Sequence, residues 1–281
     1  MPLAAKITAL IILALAALVG AWIFLIAPHA RKKEVRPFLR PYAHRGLWGE
    51  GAPENSLTAF RRAAEEGFAI ELDVQLSADN VVMVFHDYSL ERMCGVPYKL
   101  RDLKYTQLSK LSLGDTTEQI PTLRDVLRVV GGRVPLLIEL KGEDTDTSLV
   151  PRVLAELARY DGIWCIESFN PMLLGAVKRM DARVVRGLLS TDLIKEKKPG
   201  ALALNAALSA LLLTFLCRPA FHAWDKKYPN RLALKAGIRL FGAASVVYTV
   251  RDEAEYNRYL DEGITPIFEG FVPERREVTF K

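Results

Sequence analysis

From residue 42 onward, short apolar runs of strand character alternate with amphipathic helical stretches, and this alternation constrains the chain more than any other feature. "YAH" at 42–44 reads as a short strand. A helix follows over 57–66, capped by Asn55 or Ser56, with Leu57, Phe60 and Ala64 on its apolar face and Gly67 as its stop. "FAIELDVQL" alternates with period two, and "VVMVF" is the next strand. "LRDLKYTQLSKLSL" and "TLRDVLRVV" read as helical, the second with Thr122 as its N-cap. "PLLIELK", "GIWCIESF", "ARVVRGLL", "PAFHAW", "ASVVYTV" and "ITPIFEG" read as strands, separated by helices around 149–160, 171–180, within 230–241 and after Asp252. No Gly/Pro/Ser linker divides this region, so it is expected to form one domain. Repeated units of this kind predict a parallel α/β architecture. Their number fits a TIM-like (β/α)8 barrel better than an open doubly wound sheet, and no Gly-x-Gly-x-x-Gly turn is present. One join departs from the rule. About seven residues separate "ELDV" from "VMVF", whereas a parallel crossover needs roughly a dozen or more. Residues 77–80 are therefore expected to form a tight turn, making an antiparallel hairpin inside a distorted barrel.

Ahead of the barrel, residues 7–26 carry no charge, and a helix of that length spans about 30 Å, the hydrocarbon thickness of a bilayer. Trp22 lies near its end, where an indole suits the interface. A cleaved signal peptide has a shorter apolar core and a small-x-small site; "LIAPHARKK" offers none, since Pro28 occupies the −3 position before Ala30. The segment 1–30 is thus expected to be an uncleaved single-pass anchor. The excess of the +5 net charge is concentrated after it, at Arg31, Lys32, Lys33, Arg36 and Arg40. That basic juxtamembrane linker, 31–40, suits anionic lipid headgroups. By the positive-inside rule it places the domain at 41–281 on the cytoplasmic side of the cell membrane. No recognition helix or zinc-finger pattern supports nucleic acid, and no protein partner is inferable. Cys94, Cys165 and Cys217 are far apart and form no paired framework, as expected of reduced thiols or small buried apolar residues.

The strands carry unusual charges. In "FAIELDVQL", Ile70, Leu72, Val74 and Leu76 share one face while Glu71, Asp73 and Gln75 share the other. "PLLIELK" repeats the device with Glu139 and Lys141. Charges in core strands are unfavourable unless paired or metal-bound. Three carboxylates converging from two strands make an all-oxygen site that selects a hard divalent cation, Mg²⁺ or Ca²⁺. Lys141 beside them points to a bound anion; the same residues would also form a buried salt bridge with no ligand. Of four histidines, His29 flanks the apolar segment and His222 ends a later strand. His44 and His86 each follow an early strand and each has a charged neighbour, Arg45 or Asp87. These groups fall at strand ends, where barrel enzymes place their sites. The set suits phosphodiester cleavage. Arg45, Lys141 and a metal would neutralise phosphate charge, while one imidazole takes a proton from the nucleophile and the other gives one to the leaving alkoxide.

"AHRG…PENSLTAF…GFAIELDVQLSADNVVMVFHD", followed by "IPTLRDVL" and "LLIELKG", resembles the glycerophosphodiester phosphodiesterase family, closely over 42–141 and more loosely beyond. The resemblance implies a TIM-like barrel, a divalent metal, and hydrolysis of glycerophosphodiesters to glycerol 3-phosphate and an alcohol. It implies His44 and His86 as the acid/base pair, Glu71, Asp73 and Glu139 as metal ligands, and Arg45 and Lys141 as phosphate-binding residues. It places Glu54 near the metal and makes about 88–120 the insertion that caps the site. The C-terminal half departs from the pattern. Tyr248-Thr249-Val250 stands where many members have Trp-Thr-Val, and "GITPIFEGFVP" lacks the usual aspartate, leaving open whether Glu269 replaces it.

"ALALNAALSALLLTFLC" at 201–217 is nearly all apolar. It reads as a barrel helix packed under the preceding insertion, or else as a helix that dips into the bilayer beside Lys195, Lys197 and Lys198. The anchor and this apolar stretch together motivate an alternative activity, lysophospholipase D-type cleavage of membrane lysophospholipids. A non-catalytic phosphodiester-binding protein on the same fold is the reading from a different class.

Overall fold

A computed structural model describes residues 2–29, 32–142, 144–274 and 276. Ala30 and Arg31, at the expected boundary between anchor and linker, lie outside the described residues, as do 277–281 at the end of the expected domain. The strands are β1 (Tyr42–His44), β2 (Ala69–Leu76), β3 (Val82–Val84), β4 (Leu136–Leu140), β5 (Trp164–Ser168), β6 (Arg186–Ser190), β7 (Phe221–Asp225), β8 (Ala244–Val250) and β9 (Thr265–Phe268). All but β3 run parallel and close a barrel, since β1 pairs with both β2 and β9. β3 pairs antiparallel with the upper end of β2, Val84 opposite Val74 and Val82 opposite Leu76. The distorted barrel with one hairpin is therefore observed. Its physical cause is the brevity of β1, which ends opposite Glu71 and leaves the rest of that β2 edge for β3 to pair.

Helices between the strands follow the expected pattern. The Leu57–Glu65 helix is capped by Ser56, whose hydroxyl accepts from the Ala59 backbone N–H. The Leu123–Val130 helix starts with a reciprocal Thr122–Asp125 capping box and stops at left-handed Gly131. The stretch expected to be helical over 100–113 contains only a 3-10 turn, Leu100–Asp102, and one α-turn, Tyr105–Leu108. It wraps a small core of its own, with Met83, Phe85, Leu90, Leu100, Leu108 and Leu113 buried together. Closing that compact cluster outweighs helix propensity.

Two apolar layers hold the barrel. Outward side chains such as Ile70, Leu72, Ile138 and Ile166 pack beneath the helices. Inside, the lower half is filled by Tyr42, Leu137, Cys165, Phe221, Val246 and Ile267, and closed from below by Val35 and Leu39. Part of the basic 31–40 stretch is thus a plug for the barrel floor. His222 was expected at the end of a strand, yet β7 begins one residue before it, so it lies far from the upper rim. Its imidazole is fully buried, contacts Gly237 and has no hydrogen-bond partner among the described residues. Burial, reinforced by Arg231, depresses its pKa from 6.5 to about 4. The unfolded chain therefore binds a proton near pH 6.5 that the folded chain refuses until about pH 4. Stability from this residue is complete above pH 6.5 and falls by about 3 kcal/mol as pH drops to 4. Urea unfolding across that window should show the loss in the native chain and not in His222→Leu; parallel curves would rule it out.

The N-terminal helix, Leu3–Ile26, is about 36 Å long, and its most apolar window has a mean hydropathy of 2.9 and is almost wholly exposed. It is long and apolar enough to cross a membrane, as an anchor or a signal sequence is. Its last turn touches the barrel. Arg218 donates to the carbonyls of Phe24 and Ala27 at 2.9 and 2.6 Å, and Phe24 meets Phe215 at 5.9 Å between ring centroids. The apolar 201–217 stretch forms two short helices, Leu202–Ser209 and Thr214–Cys217. The second packs on the Pro171–Met180 helix as a barrel element should. The first buries only Asn205 and leaves Leu202 and Leu204 exposed. Lys195 and Lys198 pair with Asp192 and Glu196, which reduces the positive charge they offer a lipid surface.

Candidate active site

The two-residue period of β2 turns Glu71, Asp73 and Gln75 into the barrel, and parallel register sets Glu139 of β4 directly beside Asp73. One oxygen from each of Glu71, Asp73 and Glu139 lies within 4.8 Å of the others, and all three residues are buried. The Lys141 ammonium is 3.0 Å from Glu139 and 3.4 Å from Asp73. Arg45 donates its backbone N–H to Glu71 Oε2 at 3.0 Å and sets its guanidinium Nε 3.5 Å from Asp73. Its left-handed backbone, φ 59°, lets one residue reach the cluster with both main chain and side chain. Of the three loop glycines only Gly46 makes a close approach. A Cβ there would lie 2.8 Å from the Ala59 carbonyl carbon, whereas Gly49 and Gly51 have open space around them.

Electrostatics within the cluster are uneven. Burial raises the Asp73 carboxyl, but Lys141, His86 and Arg45 outweigh it and hold the group far below its ordinary value. Burial and then the Asp73 charge push Glu71 well up; burial pushes Glu139 up to about 7 against the pull of Lys141. Three close carboxylates that resist joint ionisation, one with a buried oxygen that has no hydrogen-bond partner among the described residues and lies 3.4 Å from the Lys141 ammonium, fit an oxygen-seeking cation.

Both histidines face the cluster and both are tethered at Nδ1. His44, the last residue of β1, hydrogen-bonds through Nδ1 to Glu269, which keeps Nε2 on the side of Glu71, 3.9 Å from its carboxylate. Arg251 holds Glu269 from behind at 2.7 Å. Burial raises the Glu269 carboxyl, but His44 and Arg251 bring it down to about 2. His86 repeats the device, with Nδ1 2.5 Å from Asp87 and Arg92 Nε 2.5 Å from the other Asp87 oxygen. Burial lowers both imidazoles below their ordinary value. His86 was expected at a barrel strand's upper end. It arrives instead from descending β3, where Phe85 donates its N–H to the Asp73 carbonyl.

Glu54 lies one step behind the cluster. It accepts from Arg45 at 2.8 Å and from Arg92 at 2.6 and 3.0 Å, bracing both arginines, and is not one of the three grouped carboxylates. Sequence reasoning missed several neighbours. Asn55 is no cap: it takes a left-handed backbone, φ 57°, and donates its amide to Asp73 at 3.0 Å. Arg92 and Arg251 carried no local signal, because their targets are far away in sequence. Glu167 did carry one: the alternation of "CIES" turns it inward opposite Glu139, where burial and then the Glu139 charge raise its pKa well above normal. Tyr248, at the expected aromatic position, donates to the Ser190 carbonyl at 3.0 Å and meets Phe169 edge-on.

A closed parallel barrel whose rim gathers three carboxylates that could hold a metal ion, two tethered imidazoles and two cations defines a (β/α)8-barrel protein. The model of the glycerophosphoryl diester phosphodiesterase family matches residues 44–272, and the chain belongs to that family. It is similar to glycerophosphodiester phosphodiesterase 1 of Bos taurus, 30% identical over 158 residues that make up 52% of this chain and 47% of that protein. The match therefore spans about half the length of that relative. Glycerophosphodiester phosphodiesterase of Bacillus subtilis is 26% identical over 253 residues, 82% of each chain. The solved structure of an Oleispira antarctica phosphodiesterase in complex with the product sn-glycerol-3-phosphate shares the fold, with a TM-score of 0.69 at 23% identity over 84% of this chain and 94% of that one.

Proposed function

We propose that the chain hydrolyses glycerophosphodiesters to glycerol 3-phosphate and an alcohol, with His44 and His86 as the acid/base pair. The observation that carries this reading is the set of three carboxylates within 4.8 Å, flanked by two carboxylate-tethered histidines, Arg45 and Lys141. Glu71, Asp73 and Glu139 would hold Mg²⁺ or Ca²⁺, which when bound supplies positive charge against the phosphate oxygens. Arg45 and Lys141 orient the phosphate and offset the charge that grows on it. With Nδ1 engaged, each imidazole works through Nε2. One accepts a proton from the attacking water, whose oxygen bonds phosphorus as the ester bond to the alcohol breaks, and the other delivers a proton to the departing alkoxide, each step worth about 10²–10⁴-fold. The names of the relatives support the substrate class. We also assign 1–30 as a membrane anchor and 41–281 as a catalytic domain on the cytoplasmic side, from the basic flank after the apolar helix.

One assay tests both parts. Full-length protein in inside-out vesicles, given glycerophosphocholine and Mg²⁺ or Ca²⁺, should release glycerol 3-phosphate. Chelation should abolish the release, and right-side-out vesicles should show none until permeabilised. Release that persists in chelator rejects the metal; equal release from intact vesicles of both orientations rejects the cytoplasmic placement.

A further inference from the structure

The two ends of the barrel differ. Parallel strands run from its floor to its mouth, and the helices between them return from mouth to floor. The carboxylate cluster, both histidines and Lys141 stand at the mouth. The N-terminal helix joins at the other end. The His29 backbone N–H donates to the Pro219 carbonyl at 2.9 Å, two residues before β7 begins. Arg218, which donates to the Phe24 and Ala27 carbonyls, also lays its guanidinium 4.7 Å from the centroid of the Phe24 ring. Ile26 is buried against the outer apolar layer, while every residue from Lys6 to Ala21 is exposed. A helix lying along the barrel wall would have one face covered. This one leaves the barrel at its floor and points away from it.

Cations gather at the same corner. Lys178 and Arg179 end the Pro171–Met180 helix, against which the Thr214–Cys217 helix packs. Burial and then the charges of Arg186, Arg218 and Arg179 lower the pKa of Lys178, so these groups are close enough to repel. Asp181, next in sequence to this helix end, is held by Arg183 at 2.9 Å. Lys178, Arg179 and Arg218 form no ion pair among the described residues. The carbonyls of a helix C-terminus favour one or two cations, which Lys178 and Arg179 already supply. Arg218 and Arg186 add positive charge that the helix end does not need, beside the last turn of the apolar helix.

We propose that the barrel stands floor-down on the membrane its N-terminal helix crosses, with Lys178, Arg179 and Arg218 against the phosphates of anionic lipids and the catalytic mouth turned to water. The inference rests on the anchor assignment above and not on the phosphodiesterase chemistry. Anionic headgroups attract cations held within a Debye length of the surface, and the anchor's last turn holds these three there. β2 has eight residues, and at the strand tilt of a barrel it rises roughly 20 Å. The mouth therefore lies beyond the headgroups of the supporting leaflet. The site draws its phosphodiester from the aqueous phase, and a lipid embedded in that leaflet does not reach it.

The two ends of one helix provide the test. Leu232 begins the Leu232–Arg239 helix at the mouth and Leu240 follows it at the floor, and they are 73% and 72% exposed. Full-length protein carrying Cys94→Ser and either Leu232→Cys or Leu240→Cys is placed in vesicles and labelled with a membrane-impermeant donor dye. The other two cysteines are buried. Energy transfer to acceptor-labelled lipid headgroups is then measured. In vesicles containing phosphatidylserine, Leu240→Cys should show the higher transfer. The gap should narrow when phosphatidylcholine replaces phosphatidylserine. Adding Lys178→Gln and Arg179→Gln should lower the ratio of docked to undocked protein by about fivefold for each charge removed and narrow the gap in the same way. Equal transfer from the two positions, or more from Leu232→Cys, overturns the floor-down placement. A gap indifferent both to phosphatidylserine and to the double substitution overturns the lipid contact of these cations. Release of the protein from vesicles by alkaline carbonate overturns the anchor assignment and this inference with it. The phosphodiesterase reading survives each of these results, because it is judged by turnover and not by placement.

Discussion

Replacing His44 by alanine should lower kcat by about 10²–10⁴-fold, and His86→Ala should do the same, because in the proposed mechanism each variant loses one of two proton transfers. The pair should not act additively. Once one transfer is lost the other contributes little, so the double variant should fall only slightly below the weaker single one. Glu269→Gln separates positioning from proton transfer. It keeps the size of the side chain and removes the charge that holds His44 Nδ1. It should reduce kcat by roughly 10–100-fold with little change in KM. It should also move to lower pH whichever limb of the pH profile His44 sets, because the lost charge no longer favours the imidazolium, and loss of folding alone would not do this. Retention of near-native kcat by His44→Ala would remove the acid/base pair from the mechanism.

Asp73→Asn carries the second large effect, on stability and activity together. Asp73 is fully buried and is the shared counter-charge of Arg45 at 3.5 Å and Lys141 at 3.4 Å, with Asn55 donating to it at 3.0 Å. Neutralising it removes the counter-charge that two largely buried cations share, leaving Arg45 with Glu54 and Lys141 with Glu139, a loss of about 3 kcal/mol. Glu139, whose pKa stands near 7, can ionise in its place and limits the damage. Turnover should fall by more than the ~10–100-fold that accompanies loss of an outer partner of a metal site. In thermal unfolding the native chain should gain stability on adding Mg²⁺ or Ca²⁺, as a ligand specific to the folded state requires. Asp73→Asn should lose most of that gain. An undiminished shift in the variant would show that the carboxylate cluster is not where the cation binds.

Where residues act through a local pattern, the sequence was sufficient. The two-residue period of "FAIELDVQL" determined that Glu71 and Asp73 face one way, and seven residues between two strands forced the hairpin. The Thr122 cap and the length of the apolar N-terminal helix are likewise local matters. Failures came where local preference met a tertiary demand. The 100–113 stretch has helical composition, but its leucines are drawn into the small cluster around Met83 and Phe85. Asn55 has the chemistry of a cap, but its amide is taken by Asp73.

By itself, then, the chain determined which residues could carry chemistry: apolar periodicity, charge on core strands, and ordered motifs are properties of neighbours in sequence. Only closure of the barrel decided how those residues are held. Glu269 reaches His44 from the last strand, Arg92 joins Asp87 to Glu54 from the insertion, and Lys141 and Arg45 share Asp73 from opposite sides. The same holds for Leu204 and Leu208, whose composition suggests burial but which line a cavity beside the site. The physical reason is that electrostatic and packing partners are chosen by distance in space, and a closed sheet brings together its first and last strands, which the sequence keeps furthest apart.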